Sequence, residues 1–394
     1  MSLETNEKIK AYIRLHRGED VRLLALKRND FTADEHLYVL QQIAGWQIAK
    51  KKVPLWADNE DVVYPPHLSI EQCSSEETAI YKQSVIEKGD VYADLTGGMG
   101  VDFSFVSKNF EYSYYIEQNE ELCRLAQQNL KNLGVQKFEI CHQTMESFLA
   151  ENKKFNTVFV DPARRDDLGR KVVSIADCSP NLLEWKDRLL EVSETIWIKY
   201  SPMLDISLAI KELERVEELH IVSLNNECKE LLFCLKGDKN GDVHVKCVNL
   251  GKKKEVFTFL LREEQSCEAR YATKMGRYLY EPNASVMKAG AFKLLTEHFP
   301  VKKLSASSHL YTSDEKVELF PGRSFEVESV FSMNKKEIKK SLGDCKRANI
   351  TVRNFPLTVN QLREKLKIEE GGDIYLFATT LVDKKVLVKT KKTV

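Results

Sequence analysis

The stretch Asp94-Leu-Thr-Gly-Gly-Met-Gly-Val-Asp102 decides how this chain reads. It follows the short apolar run Val91-Tyr-Ala93 and precedes a segment of helical character, Phe103 to Lys108. A strand that feeds a glycine-rich turn and then a helix is a nucleotide cradle. Gly97, Gly98 and Gly100 permit positive φ and close approach of the backbone to a ligand, and the N–H groups of the next helix's first turn face the bound group. The turn is not G-x-G-x-x-G, and it lacks the Lys-Ser/Thr of a P-loop. Neither a dinucleotide pyrophosphate nor a nucleoside triphosphate is therefore favoured.

Downstream, the chain supplies the parts of an open α/β sheet in order. Tyr114-Tyr-Ile-Glu117 reads as a second strand, with Glu117 at its carboxyl end roughly 20 residues beyond the glycines, where an acid accepts both ribose hydroxyls. A helix from Glu120 to Leu133 follows, apolar at Leu122, Leu125, Ala126, Leu130 and Leu133 and stopped by Gly134. Phe138-Glu-Ile-Cys141 is a third strand. Thr157-Val-Phe-Val160 is continuously apolar, as a strand buried on both faces should be, and ends in Asp161-Pro-Ala-Arg-Arg165. Ligands of such sheets bind outside the carboxyl ends of the strands, so Asp161 stands where a substrate meets a cofactor, and Pro162 stiffens the exit by fixing φ. Asp161 either accepts a hydrogen bond from a nucleophilic N–H or takes its proton, with a plain helix cap as the alternative. Arg164 and Arg165 either clamp a phosphate or pair with Asp166 and Asp167. A fifth strand, Thr195-Ile-Trp-Ile198, leads into Lys199 and Tyr200, which are expected to line the target pocket, Tyr200 by stacking on a flipped base or by simple packing.

A chain of 394 residues exceeds the usual single domain. The region 1–87 reads as helical, with Thr32 and Glu35 forming a capping box. The catalytic domain is expected over 88–272, ending in β-rich runs with a hairpin turn at Gly251-Lys-Lys-Lys254. A small module follows over 273–324, with one helix from Ser285 to Glu297, and a final α/β module over 325–394. No apolar run reaches the ~18 residues of a membrane span, and Met1 to Lys10 is too polar for a secretory signal. The nine cysteines include no C-x-x-C pair, as expected of reduced thiols in a cytoplasmic protein, and Cys141-His142 lacks ligand spacing, so no structural metal is expected. Net charge is zero, yet from Asn334 onward Lys and Arg outnumber Asp and Glu by roughly two to one, a solvated face or a nucleic-acid footprint.

The acid and glycine turn at Asp94 to Asp102 resembles motif I of class I S-adenosylmethionine methyltransferases. Asp161-Pro-Ala-Arg resembles both the Asp-Pro-Pro-aromatic motif of amino-methylating enzymes and the Asp-Pro-Pro-Arg motif of uracil C5 methyltransferases, and matches neither. Arg164 replaces the aromatic, and the place of the C5 enzymes' cysteine falls on Tyr200, which disfavours a thiolate mechanism. Together with Arg22-Leu-Leu-Ala-Leu-Lys27, Glu71-Gln-Cys-Ser-Ser-Glu76, Gly169-Arg170 and Tyr278-Leu-Tyr-Glu-Pro-Asn283, these motifs make the chain resemble, nearly end to end, bacterial class I methyltransferases that end in a THUMP-like domain and whose substrate is undefined.

The resemblance implies an α/β fold, a Rossmann-like sheet with an N-terminal helical region and small α+β modules, ferredoxin-like and then THUMP-like. It implies S-adenosyl-L-methionine as cofactor, held by Asp94, Thr96, Gly97, Gly98, Gly100, Asp102, Glu117, Thr144, Met145 and Asp161, although the family often has Asp where Thr144 stands. Asp161, Pro162 and Arg164 are the expected catalytic residues. The segment Glu71 to Thr78 either folds over the methionine end of the cofactor or is merely a helix start capped by Ser74. The expected activity is methylation of a base in tRNA or rRNA. The alternatives are a small-molecule or protein substrate, or an inactive RNA-binding relative. The oligomeric state stays open.

Overall fold

A computed structural model describes residues 6–65, 67–164, 174–238, 241–343 and 345–393. Arg165, Asp166, Asp167, Gly169 and Arg170 lie outside these residues, as does the side chain of Arg164. The chain forms two compact units, Met1–Glu217 with Leu231–Asn240, and Glu218–Glu230 with Gly241–Val394.

The first unit opens with helices Glu7–His16, Val21–Leu26 and Ala33–Lys52, the last started by the expected Thr32/Glu35 capping box. Short helices Pro54–Ala57 and His67–Gln72 precede helix Glu76–Val85. Its N-cap is Ser75, whose side chain accepts the Thr78 N–H, so the alternative that made Ser74 the cap does not hold. The Ser74 hydroxyl is spent elsewhere, on Asp102. Trp56, Ile70 and Ala79 pack with Met99, Val101 and Phe105, so the helical region covers the glycine turn and the helix after it, Val101–Val106.

The sheet of this unit contains β1 (Gly89–Asp94), β2 (Phe110–Glu117), β3 (Phe138–His142), β4 (Phe155–Val160) and β5 (Ser193–Tyr200), all parallel. The next strands in the chain are β6 (Val216–Leu224) and β7 (Glu227–Lys236), and β7 runs antiparallel to β5. The order is β3-β2-β1-β4-β5-β7. From β1 the chain winds outward through β2 and β3, then returns to the other side of β1 with β4. That reversal opens a crevice at the carboxyl ends of β1 and β4.

In the second unit β6 pairs in parallel with β8 (His244–Leu250), which forms a hairpin with β9 (Glu255–Leu260) through the turn anticipated at Gly251. A separate seven-stranded sheet contains β10 (Tyr278–Pro282), β11 (Lys302–Lys303), β12 (Tyr311–Ser313), β13 (Gly322–Phe331), β14 (Asn349–Val352), β15 (Ile374–Leu381) and β16 (Lys384–Lys392), in the order β11-β12-β10-β13-β16-β15-β14. Leu279, Leu310, Phe325, Phe377 and Val388 form one buried cluster, and Phe331, Leu342, Leu362, Leu376 and Leu387 another. Helices Lys335–Leu342 and Val359–Leu366 lie where the sequence pattern places them, but the helix expected from Ser285 to Glu297 is two, Ala284–Ala289 and Leu295–His298. Gly290, at φ +73°, ends the first with a left-handed cap. Among the described residues no helix is long and apolar enough to cross a membrane, and no group of His, Cys, Asp or Glu is placed to hold a metal.

Candidate active site

The glycine turn is shaped by the residues it wraps. A Cβ on Gly97 would lie 2.3 Å from the ring of Tyr115, so that position admits no side chain. Gly98 and Gly100 adopt φ of +56° and +86°, the left-handed region that L residues avoid. The Gly97 N–H donates to the Ile116 carbonyl at 2.8 Å, and the Tyr115 hydroxyl donates to the Gly98 carbonyl. Glu117 closes the cradle: one carboxylate oxygen accepts the Gly98 N–H at 2.9 Å and the other the Asn119 N–H at 2.9 Å. Each oxygen keeps a second lone pair, and the side chain is half-buried, so both are able to accept ribose hydroxyls while the backbone bonds hold.

Thr96 links the ends of β1 and β4. Its N–H donates to Asp94 Oδ1 at 3.0 Å, and its Oγ1 accepts the N–H of Asp161 at 2.6 Å. Asp94 is 2% exposed. Burial pushes its carboxyl up to about 8, the nearby Asp102 and Asp161 push the same way, and the Thr96 N–H and Lys199 oppose them. At neutral pH the carboxyl is therefore mostly protonated in the bare protein, and a ligand's ammonium group would ionise it.

Asp102, grouped by sequence with the cofactor residues, sits in a buried ion cluster. Lys82 Nζ, fully buried, lies 3.1 Å from Asp102 Oδ1, and Lys199 Nζ lies 3.3 Å from Oδ2. The Ser74 hydroxyl donates to Oδ2 at 2.7 Å and accepts from both ammonium groups at 3.1 Å. Burial works against the Asp102 carboxylate, yet the two lysines and Ser74 outweigh it and bring the group down to about 2. Lys199 also reaches Asp161 Oδ2 at 2.5 Å. Sequence reasoning passed over Lys82. Its trace was available, since in helix Glu76–Val85 it falls on the same face as Thr78 and Ala79, a buried face with a charge on it.

Asp161 is 37% exposed at the end of β4, and Pro162 behind it is buried. Ala163–Arg164 continues as a short strand paired antiparallel with Cys178–Ser179. Thr144 is exposed and caps helix Met145–Leu149 through the Ser147 N–H, while Met145 is buried. Of the two readings of Tyr200, simple packing is the one the structure supports: the residue is 3% exposed and its ring packs edge-on to Phe233 at 6.0 Å. Strand alternation turns Lys199 toward the crevice side and Tyr200 into the core. The structure thus brings together Asp94, Thr96, Asp102 and Asp161, sets the glycines and Glu117 beside them, and leaves Thr144 as a helix cap.

Family comparison matches residues 278–321 to a ferredoxin-like domain and residues 322–392 to a THUMP domain-like family. No functionally curated protein matches the chain. Among solved structures, a methyltransferase candidate from Porphyromonas gingivalis W83 is 32% identical over 98% of this chain and 98% of its own, with a TM-score of 0.89. A tRNA m1G37 methyltransferase from M. jannaschii (19% identity, 43% of this chain and 52% of its own, TM-score 0.31) and an rRNA methylase from Streptococcus thermophilus (17%, 40% and 93%, 0.29) also match, at a similarity that carries no argument. Identity of that extent along nearly the whole length, joined to the two C-terminal matches, places this chain in the family of the Porphyromonas protein, class I methyltransferases that end in ferredoxin-like and THUMP-like domains.

Proposed function

We propose that this protein is an S-adenosylmethionine-dependent methyltransferase acting on a base of structured RNA, tRNA or rRNA, in the cytoplasm. The observation that carries the reading is the direct link from the glycine cradle to Asp161 through Thr96, which fixes a half-exposed carboxylate beside the place for a nucleoside. The residues fit the cofactor. The Gly97 to Gly100 turn admits close backbone approach, Glu117 has lone pairs for the ribose, and Asp94 offers a buried carboxyl to an ammonium group. When bound, the cofactor would supply a methyl group already activated on a sulfonium. Asp161 orients the acceptor by taking a hydrogen bond from it, Pro162 holds that carboxylate at the strand exit, and Arg164 is assigned to a substrate phosphate. Orientation of this kind supplies much of the rate enhancement when the electrophile is already activated.

The RNA assignment rests on the second unit. In helix Lys335–Leu342 the side chains of Lys335, Lys336, Lys339 and Lys340 are exposed, as is nearby Lys346. Several other cations of the tail are paired with acids: Arg347 with Glu369, Arg353 with Glu281, Arg363 with Glu370, and Lys389 and Lys391 with Glu328. The footprint is thus narrower than the charge count of the tail. Mass spectrometry of RNA nucleosides from cells with and without the protein tests the reading: loss of one methylated nucleoside is expected, and an unchanged set turns the assignment to a small-molecule or protein substrate.

A further inference from the structure

The buried cluster behind the cradle is more than a structural ion pair, because it is open at one end. It forms a row of alternating charge, Lys82, Asp102, Lys199 and Asp161, with separations of 3.1, 3.3 and 2.5 Å. The first three members are buried or nearly so, and only Asp161 reaches solvent. Ser74 sits at the middle of the row, touching Asp102 and both ammonium groups. Two of these contributors, Ser74 and Lys82, come from the region ahead of β1, which carries no part of the glycine turn. Burying two lysines costs several kcal/mol per ion unless the geometry compensates, so a row like this persists where it sets the position of its exposed end.

We infer that Lys199 is the positioning residue of Asp161, and that Ser74, Lys82 and Asp102 hold Lys199 in place for that task. The ammonium occupies Asp161 Oδ2 and fixes the carboxylate plane, leaving Oδ1 to take a hydrogen bond from the incoming nucleophile. A carboxylate already shared with an ammonium is a fixed acceptor and a poor proton remover. The site is thereby suited to a nitrogen nucleophile, whose lone pair would form the N–C bond as the S–C bond of the sulfonium breaks to leave the thioether, and whose proton, acidified by that attack, passes along the hydrogen bond to Asp161 Oδ1 and on to solvent. It is unsuited to a carbon that must be deprotonated or covalently activated first. Asp94 and Tyr200 also face Asp161. Asp94 Oδ1 is engaged by the Thr96 N–H and the buried Tyr200 hydroxyl makes no hydrogen bond among the described residues, so Oδ2 is held by Lys199. The inference rests on the methyltransferase reading for its chemistry but not for its geometry, and the two are tested apart.

For the geometry, the protein is labelled with 15N-lysine and the ammonium resonances of Lys82 and Lys199 are followed in the presence of S-adenosylhomocysteine. Buried, ion-paired ammonium groups exchange slowly enough to give separate signals. D161N is expected to move the Lys199 signal and leave that of Lys82 in place, and D102N to move both; a Lys199 signal indifferent to D161N overturns the inference. For the chemistry, initial rates of methyl transfer from radiolabelled cofactor are measured on RNA from cells lacking the protein. K199M should lower the rate at saturating cofactor by roughly tenfold to a hundredfold, the scale of one charge-assisted hydrogen bond, with S-adenosylhomocysteine affinity unchanged. K199R should restore part of the rate, and S74A, which keeps every charge and threatens the fold least, should lower it by a smaller factor. K199M at the wild-type rate, or a methyl group found on carbon, overturns the inference. If the wild type itself transfers nothing to RNA, it is the substrate reading that fails, and the resonance experiment alone decides the role of Lys199.

Discussion

Two buried carboxylates, one in each unit, are each flanked by two cations and serve opposite ends. Asp102 meets Lys82 and Lys199; Glu281 meets Arg323 and Arg353. At Glu281 both oxygens are taken by guanidinium forks, Arg323 Nε at 3.1 Å on Oε2 and Arg353 Nε and Nη2 at 3.3 and 3.0 Å on Oε1. The planar forks satisfy the acid and join β10, β13 and the residue after β14. That cluster is closed. At Asp102 the cations are lysines, compact charges with donors to spare, and one of them passes its charge on to Asp161. The number of cations is the same. Planar forks make a joint, and point charges make a relay that ends at a site.

The comparison is broken most readily at Asp102. Asp102→Ala removes the carboxylate that two buried ammonium groups share and leaves Lys199 with Asp161, and it is expected to cost about 3–5 kcal/mol in urea unfolding. A loss under about 1 kcal/mol would mean that the two lysines find water or other acids, and the row would no longer be a fixed device.

Next in size is the cradle: Glu117→Ala should weaken binding of S-adenosylmethionine and S-adenosylhomocysteine by roughly 1–3 kcal/mol by calorimetry, with no appreciable binding of NAD or ATP by the wild type. Glu281→Gln should cost less than Asp102→Ala, roughly 1–2 kcal/mol, because Arg323 and Arg353 are 34% and 38% exposed and hydrate once released. It should leave cofactor affinity untouched, and a lost affinity would contradict the view of Glu281 as a joint. On the RNA side, replacing Lys335, Lys336, Lys339 and Lys340 by Gln should flatten the salt dependence of RNA binding by up to about four contacts' worth, read by filter binding at several salt concentrations. Point changes are required because truncation after Asn334 would remove β14, β15 and β16, three of the seven strands, and bare the edge of β13.

One effect is set by pH and concerns Asp94. Its carboxyl titrates in the fold at about 8 against 3.8 for an ordinary aspartate. A raised acid favours the fold while it is protonated. Its contribution is complete below about pH 4, declines steadily as the unfolded state ionises above that, and is lost once pH passes 8. Asp94→Asn should therefore melt level with the wild type near pH 4 and clearly above it near pH 8, with the gap opening steadily between the two. A gain equal at both pH values would mean that the carboxyl is not the cause.

The cradle was legible because its signals are local. Gly97 to Gly100, Glu117 and the apolar run before Asp161 each lie within one strand and one turn, where spacing alone fixes the geometry. The relay was not, since Lys199 meets Asp102 across 97 positions and Ser74 across 125, and no periodicity encodes a partner at that distance. Tyr200 stayed open between two readings for a related reason: a residue at a strand end can point to either face, and only the packing against Phe233 decides which. Gly290 was visible in the sequence, but the apolar spacing on either side of it suggested continuity, and its positive φ overrode that pattern. The tail's charge count likewise could not reveal that Arg353 is committed to an acid 72 positions earlier.

The single sheet that runs through the ferredoxin-like and THUMP-like matches has a bearing on how this family can vary. The two matches meet at the pairing of β10 with β13, five residues in register from Tyr278 opposite Glu326 to Pro282 opposite Gly322. A THUMP-like segment transplanted without its neighbour would therefore carry a bare strand edge in β13, and such edges recruit other chains. Inheritance, recombination and domain grafting should accordingly treat residues 278–392 as one indivisible cassette, which varies by changing exposed side chains on a shared sheet rather than by exchanging modules.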